Sequence, residues 1–256
     1  ELVEGPGDAF SGEHSSLAIN SPGIPAIIYN SHTNAGTGTY RTKYTIRTGG
    51  VWSEVEYAVV PVIVDGEPRN ITSPGGSLKF DAANVPHVAY WGVDNTVQYA
   101  TRDASGNWTT ETAATVTGKD VFSLSLVIHP ANGVPYICFR DELAQNNAAL
   151  KVAHKTTGSW EVETVETGLG GFSTSAAIDA AGATLGVAYN GKYAFATITT
   201  DLTITTGGTL PGGTVGRAYS RTFQRINGTA AFTWSKVSGE FPDGLTIFPA
   251  PVTPAD

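Results

Sequence analysis

The chain has 256 residues, of which 41% are apolar and only 15% are charged, and its formal net charge at pH 7 is −8. A chain of this length can bury one large β domain or two domains of ordinary size. The negative charge argues against nucleic acid and anionic membranes as partners, since both require a basic surface. No apolar run approaches the roughly 20 residues of a membrane-spanning helix, so membrane insertion is not expected.

The sequence contains one cysteine and no methionine. Cys138 lies in the apolar segment PYICF, where we expect a buried and unreactive thiol. The missing initial methionine indicates a chain that has been processed or is a piece of a longer protein. Together with the low charge and the abundant Thr, Gly and Asn, it favours a secreted bacterial protein whose signal peptide has been removed. We therefore expect an extracellular or cell-surface location.

Segments of about 50 residues resemble one another along the first 200 residues, and such self-similarity is typical of repeat folds. The clearest copy covers residues 77–108. It predicts four strands joined by tight turns: residues 78–81, residues 86–90, residues 97–102, and a strand that begins at Trp108 after a hairpin turn at residues 103–107.

The same features recur in the other copies. Each second strand ends on an aromatic residue, and these residues are Tyr29, Tyr90, Phe139 and Tyr189. A tryptophan opens the fourth strand of three copies, two residues after a turn glycine, and these residues are Trp52, Trp108 and Trp160. Four strands in such a unit are typical of a propeller blade. We expect the three tryptophans to be largely buried between neighbouring blades.

The ends of the repeat region predict how the ring of blades closes. The fourth copy stops after Thr200 without its tryptophan strand, and residues 1–11 resemble residues 161–173. We therefore predict a four-blade β-propeller at residues 1–200, closed by residues 2–4 pairing beside residues 193–197, which would remove two open sheet edges. The alternative is that further blades precede this chain.

An insertion separates the first two copies at residues 59–76. Its VPVIV segment is expected to extend the outer strand of the first blade, and the DGEPRN and SPGG segments that follow read as turns.

From residue 201 the repeat pattern ends. The features that follow are Leu210-Pro211, GTVG at residues 213–216, Ala218-Tyr219, FTW at residues 232–234, and SGEFPDGL at residues 238–245. Together they resemble the immunoglobulin-like (He_PIG) domains of bacterial surface and secreted proteins, in which the module is a spacer or adhesion unit. The closing strand of that family is absent, so the resemblance implies a partial immunoglobulin-like β unit at residues 201–256.

Because such a sandwich hides its apolar faces only when both sheets are present, the partial unit needs a cover. It would pack on the propeller, accept a strand from a neighbouring subunit, or be a truncated domain. The expected partner is accordingly a second protein, or another copy of the chain that assembles through the C-terminal unit.

The turn DASGNW at residues 103–108 resembles the Asp-box of sialidase-like propellers. In that family the box is a fold element, and the equivalent turns here, TGGVW and KTTGSW, lack its aspartate. Sialidase chemistry requires an arginine triad, which the positions of the arginines in the repeats do not suggest. These arginines are Arg41, Arg47, Arg69, Arg102 and Arg140.

Polar and aromatic residues occupy equivalent positions after the second strands, where each chain segment is expected to enter a loop. These residues are Asn30, Trp91, Arg140 and Asn190, with Asp141 next in sequence. One tryptophan and several polar groups around a loop mouth form the kind of surface that holds a sugar. The simpler interpretation is that they anchor loops.

Aligned turn positions carry Asp81, His129 and Asp179, which we expect to bond to their own turns.

The sequence therefore predicts an all-β protein that acts as a non-enzymatic extracellular binding or assembly module, forming oligomers or filaments. One alternative is a lectin that binds glycans through the loop mouths, and another is a glycan-directed, sialidase-like hydrolase. No catalytic residue, metal ligand or cofactor is predicted. Since propellers host all of these functions, the fold does not choose among them.

Overall fold

The computed structural model describes residues 3, 10–32, 40–57, 62–64, 67–69, 76–92, 95–117, 123–144, 147–155, 158–169, 173–198, 203–204 and 225–226. These residues form strands and turns, without a helix among them. The chain divides into two compact units, Glu1–Ile198 and Thr199–Asp256.

The described residues of the first unit include four antiparallel sheets of three to five strands that follow one another along the chain, each built as a meander of neighbouring strands. Blade 1 has β1 (Phe10–Ile19), β2 (Pro25–His32), β3 (Tyr40–Thr48), β4 (Val51–Trp52) and β5 (Glu56–Tyr57). Its strand order is β1-β2-β3-β4, and β5 also pairs with β3.

In chain order, a separate two-stranded hairpin follows blade 1 and precedes blade 2. It pairs β6 (Val62–Val64) with β7 (Glu67–Arg69). The prediction that VPVIV extends the outer strand of blade 1 is therefore wrong. The physical reason is in the sequence, because Asp65-Gly66 is the dipeptide that two-residue hairpin turns favour, so this segment pairs with its own continuation.

Three further blades complete the unit. Blade 2 has β8 (Gly76–Phe80), β9 (Pro86–Gly92), β10 (Thr96–Arg102) and β11 (Trp108–Thr115). Blade 3 has β12 (Leu124–Ile128), β13 (Pro135–Ala144), β14 (Asn147–His154) and β15 (Glu161–Leu169). Blade 4 has β16 (Thr174–Ile178), β17 (Thr184–Tyr189) and β18 (Lys192–Thr197). The predicted all-β class and the four-blade propeller arrangement are confirmed.

Two predicted features involve residues outside the described part of the chain. The ring-closing pairing of residues 2–4 lies outside the described residues, apart from Val3. The immunoglobulin-like unit does so too, except for a pairing of β19 (Thr203–Ile204) with β20 (Arg225–Ile226).

The apolar core lies between consecutive blades. One cluster joins blades 1 and 2 through Ile28 and Val88, a second joins blades 2 and 3 through Ala89 and Ile137, and a third joins blades 3 and 4. Since side chains alternate along a strand, each blade has two packing faces. We call the one towards the following blade its forward face and the one towards the preceding blade its rear face.

A serine on the forward face of each of the first three blades bonds to the backbone of the next blade. The bonds run from Leu78 N to Ser16 Oγ at 3.1 Å, from Leu126 N to Ser77 Oγ at 3.1 Å, and from Ala176 N to Ser125 Oγ at 3.0 Å. These serines occupy the same position of the repeat, so the same polar contact fixes the register of each pair of neighbouring blades.

Two of the repeat tryptophans pack against a tyrosine of the preceding blade. Trp108 makes an edge contact with Tyr44 at 5.3 Å between ring centroids and 73° between planes, and Trp160 contacts Tyr99 at 5.2 Å and 68°. The predicted place of these rings between blades is confirmed. All three repeat tryptophans are less buried than predicted. Trp52, Trp108 and Trp160 are each only half-buried, at the ends of the sheets.

Candidate functional site

Trp91 does not present its ring to solvent. It is fully buried in β9, on the forward face of blade 2, and its ring contacts that of Phe139 edge-on at a centroid distance of 6.1 Å. This burial corrects the prediction that Trp91 forms an exposed aromatic platform. Strand β9 continues through Gly92, so Trp91 still lies within the sheet, and blade 3 covers it.

The polar counterparts of Trp91 in blades 1 and 3 also lie within strands. Asn30 is 1% exposed, and its Oδ1 accepts a hydrogen bond from the Thr42 hydroxyl at 3.2 Å. Arg140 is 4% exposed, and its Nη1 lies 3.3 Å from a carboxylate oxygen of Glu142. Both polar groups are therefore engaged inside their own blades.

Asp141 is completely buried and joins blade 3 to the end of blade 2. One carboxylate oxygen lies 2.6 Å from Lys151 Nζ, and the other accepts the backbone N–H of Thr117 at 2.9 Å. A buried carboxylate requires a cation and hydrogen-bond donors to replace its lost hydration. This arrangement supplies both, which supports the simpler interpretation that Asp141 anchors the connection between blades.

Asn190 is exposed and forms a tight turn with Gly191 between β17 and β18. Both residues have positive φ, 50° and 70°, as the common two-residue hairpin turn requires. The structure thus places the five predicted residues in four blades, one at a surface turn and four in buried strand positions. Their role in ligand binding stays a prediction.

The predicted turn residues bond as expected. Asp81 Oδ1 accepts the backbone N–H of Val85 at 2.8 Å, and Asp179 Oδ1 accepts that of Ala183 at 2.6 Å. In the Asp-box-like turn, Asp103 Oδ1 accepts the N–H of Asn107 at 2.8 Å, and this bond is the main reason that the pKa of Asp103 is lowered. These carboxylates stabilise turns of the fold.

His129 links the turns of blades 3 and 4. Its Nδ1 accepts the backbone N–H of Ala131 at 3.2 Å, and its Nε2 lies 3.0 Å from the carbonyl oxygen of Gly182. These partners assign the hydrogen to Nε2. The predicted turn role is confirmed, with an additional contact to the next blade.

Little reactive chemistry is arranged in the described part of the chain. Those residues contain no group of three or more His, Cys, Asp and Glu side chains placed to hold a metal ion. Burial raises the pKa of the Cys138 thiol to about 12, so the thiol is protonated and unreactive at neutral pH. A helix of the length and hydrophobicity needed to cross a bilayer is not found among the described residues either.

Blade 4 exposes its forward face. Tyr193 is 65% exposed and Phe195 is 70% exposed, and their rings stack at a centroid distance of 6.1 Å. A surface depression of about 380 Å³ lies on this face. It is lined by Ser175, Ala177, Gly186, Ala188 and Tyr193, with further residues of β16 and β17.

Blade 1 exposes part of its rear face along β1, although Tyr29 and Thr45 on the same face are buried. Leu17 is 57% exposed and Ile19 is 61% exposed. The residues at the same repeat position as Leu17 in blades 2 and 3, Leu78 and Leu126, have no exposed surface. The forward face of blade 4 and the β1 part of the rear face of blade 1 therefore depart from the buried pattern, and they form the candidate functional surface.

Comparison with known proteins supports the fold. No protein-family model matches the chain, and no curated protein sequence does. A solved structure of fructan 1-exohydrolase IIa from Cichorium intybus matches 77% of this chain and 43% of its own length, with 13% identity and a TM-score of 0.50. A protein of unknown function from Dyadobacter fermentans matches 70% of this chain and 49% of its own length, with 12% identity and a TM-score of 0.49. This chain thus spans less than half the length of both structures.

Sequence reasoning missed the exposed faces. Leu17 and Tyr193 stand in repeat positions that are buried elsewhere, so the pattern predicted buried residues. One signal was available, because residues 201–256 contain no further copy of the repeat whose tryptophan could cover Tyr193.

Proposed function

We propose that this chain is a non-enzymatic, extracellular binding or assembly module. The observation that carries the proposal is the pair of apolar blade faces, in which Leu17, Ile19, Tyr193 and Phe195 are each more than half exposed. Contiguous exposed apolar surface is typical of sites that bind other proteins. The buried pairing of Asn30, Arg140 and Asp141 supports a structural role for the polar candidates rather than a catalytic one.

The C-terminal unit enters the proposal through its sequence. Residues 201–256 resemble immunoglobulin-like modules that act as spacers or adhesion units, and an incomplete unit of this kind is a candidate for completion by a partner strand. The extracellular location rests on composition, namely low charge and abundant threonine, glycine and asparagine.

Glycan binding and glycan hydrolysis are the functions that the proposal has to exclude, since the fructan exohydrolase has a similar fold. The test applies the purified chain to a glycan array and to a panel of fluorogenic glycosides, including fructosides and sialosides. The expected result is neither binding nor turnover. Turnover that copurifies with the chain and is lost when it is unfolded would contradict the proposal.

A second arm of the test measures the apolar faces directly. An apolar fluorescent dye should bind the native chain, and replacing both Tyr193 and Phe195 with Ser should weaken the fluorescence signal. Val162→Ser is the matched control, because Val162 is 45% exposed but lies on the outermost strand of blade 3. An equal loss of signal in the control would show that these faces are not the binding surface.

A further inference from the structure

His129 in the turn of blade 3 holds the turn of blade 4 through a side chain whose two nitrogens have fixed roles. Its Nδ1 accepts the backbone N–H groups of Ala131 and Asn132 at 3.2 and 3.3 Å. Its Nε2 lies 3.0 Å from the carbonyl oxygen of Gly182 and donates to it. A neutral imidazole has one donor and one acceptor nitrogen, so these partners are satisfied only while His129 is neutral.

Protonation of this imidazole removes its acceptor. Nδ1 would then carry a hydrogen directed at two N–H donors, and His129 is only 3% exposed, so water has little access to accept that hydrogen. A buried donor without an acceptor is costly, and a buried charge is costlier still. The protonated side chain therefore has to leave its buried position, and the bond to Gly182 is lost with it.

The charged side chains of the neighbouring turns are engaged elsewhere. Asp179 belongs to the blade 4 turn that His129 contacts, and its Oδ1 accepts two backbone N–H groups at the end of that turn. Asp81 belongs to the turn of blade 2, where it bonds to its own turn and lies 3.3 Å from His87. The turn of His129 itself, residues 129–133, carries no other titratable side chain. Within the described part of the chain, neither carboxylate forms an ion pair that would hold a protonated His129 in place.

The corresponding link between the turns of blades 1 and 2 does not titrate. There the amide oxygen of Asn84 accepts the N–H of Ser21 at 2.8 Å. Acid therefore leaves that link intact and acts on the link between blades 3 and 4. Of the four blades, blade 4 also contributes the fewest buried apolar side chains in the described residues, namely Leu185, Val187 and Tyr189. Elements with few buried contacts are the ones that open first.

A second titratable side chain holds blade 4 at the opposite end of its strands. Glu166 of β15 accepts hydrogen bonds from Lys192 Nζ and from the Tyr189 hydroxyl. These bonds, that of Lys192 above all, hold the pKa of Glu166 below its ordinary value. Glu166 therefore stays charged in mildly acidic solution, where only the contact made by His129 is lost.

We propose that His129 is a pH-sensitive contact whose protonation separates the turn of blade 4 from that of blade 3 and opens the interface between the two blades. Opening uncovers the apolar cluster in which Cys138 and Val152 of blade 3 lie with Leu185 and Val187 of blade 4. The neutral side chain holds the blades together, so the interface is closed at neutral pH and opens as the pH falls. The inference concerns a contact inside one molecule and is independent of the proposed assembly role.

Cys138 is a reporter of this opening that the chain already contains. It is the single cysteine, it has no exposed surface, and it lies in the cluster that opening uncovers. Its rate of reaction with 4,4′-dithiodipyridine is measured from about pH 8 to 5, the range in which histidines change charge. Each rate is divided by that of the urea-unfolded chain at the same pH, which cancels the pH dependence of the thiol reaction. We expect this ratio to rise roughly tenfold or more as the pH falls, as for the loss of a buried hydrogen bond.

Two substitutions remove the titration, and each keeps one half of the contact. His129→Asn retains an acceptor for the turn, as Asn20 and Asp179 provide at the same repeat position of blades 1 and 4. His129→Gln retains a donor for Gly182. In both variants the rate ratio should no longer change with pH. The matched control is His87→Gln, which removes a buried histidine of blade 2 and should keep the rise.

Urea at low concentration separates local opening from unfolding of the whole chain, because only the latter exposes enough surface to respond strongly to urea. At about pH 5, small amounts of urea should hardly change the rate ratio. A ratio that stays constant with pH in the unsubstituted chain overturns the inference. So does a rise that persists in both His129 variants, a rise that is lost in His87→Gln, or a ratio that increases steeply with urea.

Discussion

Single residues fix the turns through which neighbouring blades touch. Gly182 has a positive φ of 72°, and a Cβ on it would lie 2.4 Å from the imidazole of His129. Gly133 holds the equivalent turn in blade 3 with a φ of 71°, but a Cβ there would meet nothing within 4 Å. Alanine substitutions at the two glycines therefore distinguish the free-energy cost of backbone strain alone from the cost of strain combined with a steric clash.

Gly182→Ala is expected to destabilise the chain more than Gly133→Ala. Both substitutions place a side chain at positive φ, which costs about 1–2 kcal/mol, and the clash with His129 adds roughly 1–3 kcal/mol of overpacking. Urea unfolding followed by fluorescence measures both variants. Equal losses would show that His129 moves aside without cost and that its contact with blade 4 is weak.

His87 makes the stability of the chain depend on pH. It is buried on the forward face of blade 2, where its Nδ1 contacts the Tyr99 hydroxyl and its Nε2 lies 3.3 Å from Asp81. Burial lowers the pKa of His87 below its ordinary value of 6.5, although Asp81 partly opposes the shift. The unfolded chain therefore binds a proton at a higher pH than the folded chain does.

The stabilisation from neutral His87 should be complete above pH 6.5 and decrease as the pH falls below that value towards the lowered pKa. Unfolding free energies measured across this range should fall less steeply in His87→Gln than in the unsubstituted chain. His14→Gln is the matched control, because His14 is exposed on β1. If both variants keep the original slope, His87 is not the group responsible.

The burial of a residue could be predicted from the sequence only where nearby turn residues and alternating side chains determine its position in a strand. The strands around Pro86 and Trp108 were found because turn residues and alternating side chains mark their ends. The burial of Trp91 was not predicted, because β9 extends through Trp91 and Gly92, two residues beyond the predicted end of the strand. Blade 3 then covers the Trp91 ring. Tyr99 and Tyr193 have the same local context, and only the presence or absence of a following tryptophan strand separates buried from exposed.

At the scale of elements, the edge contacts between rings hold consecutive blades together. Tyr44 is 1% exposed at the first interface, where it contacts Trp108, and this burial raises the pKa of its hydroxyl to about 12. The equivalent Trp52 lies on blade 1, with no preceding blade in the described part of the chain. The three tryptophans thus occupy the same repeat position, but only Trp108 and Trp160 contact a preceding blade in the described part of the chain.

Trp108→Ala and Trp160→Ala are each expected to lower the free energy of unfolding by about 3 kcal/mol, near the lower end for removing a large aromatic residue. Trp52→Ala should cost less than about 1 kcal/mol, as at a site outside the core. Urea unfolding at low protein concentration measures all three. A loss at Trp52 equal to the others would mean that blade 1 already has a partner on its rear face.

At the scale of the whole first unit, the bond from a serine to the next backbone repeats at all three internal interfaces, and blade 4 carries the matching Ser175 beside Tyr193 on an exposed face. The polar residues that the sequence suggested as a glycan rim are buried in separate blades, apart from Asn190. The exposed ends therefore account for the proposed assembly role better than the loop mouths do.

Hydroxyl-radical footprinting with mass spectrometry tests this account most directly, because it compares Tyr193 with its equivalents Tyr44 and Tyr99 in one sample. In dilute protein, Tyr193 should be oxidised many times faster than the other two, in line with its 65% exposure against 1% and 6%. At high concentration Tyr193 should become protected, because its face is the proposed assembly surface. Equal protection of all three tyrosines in dilute, monomeric protein would contradict the account, because blade 4 would then have no open face.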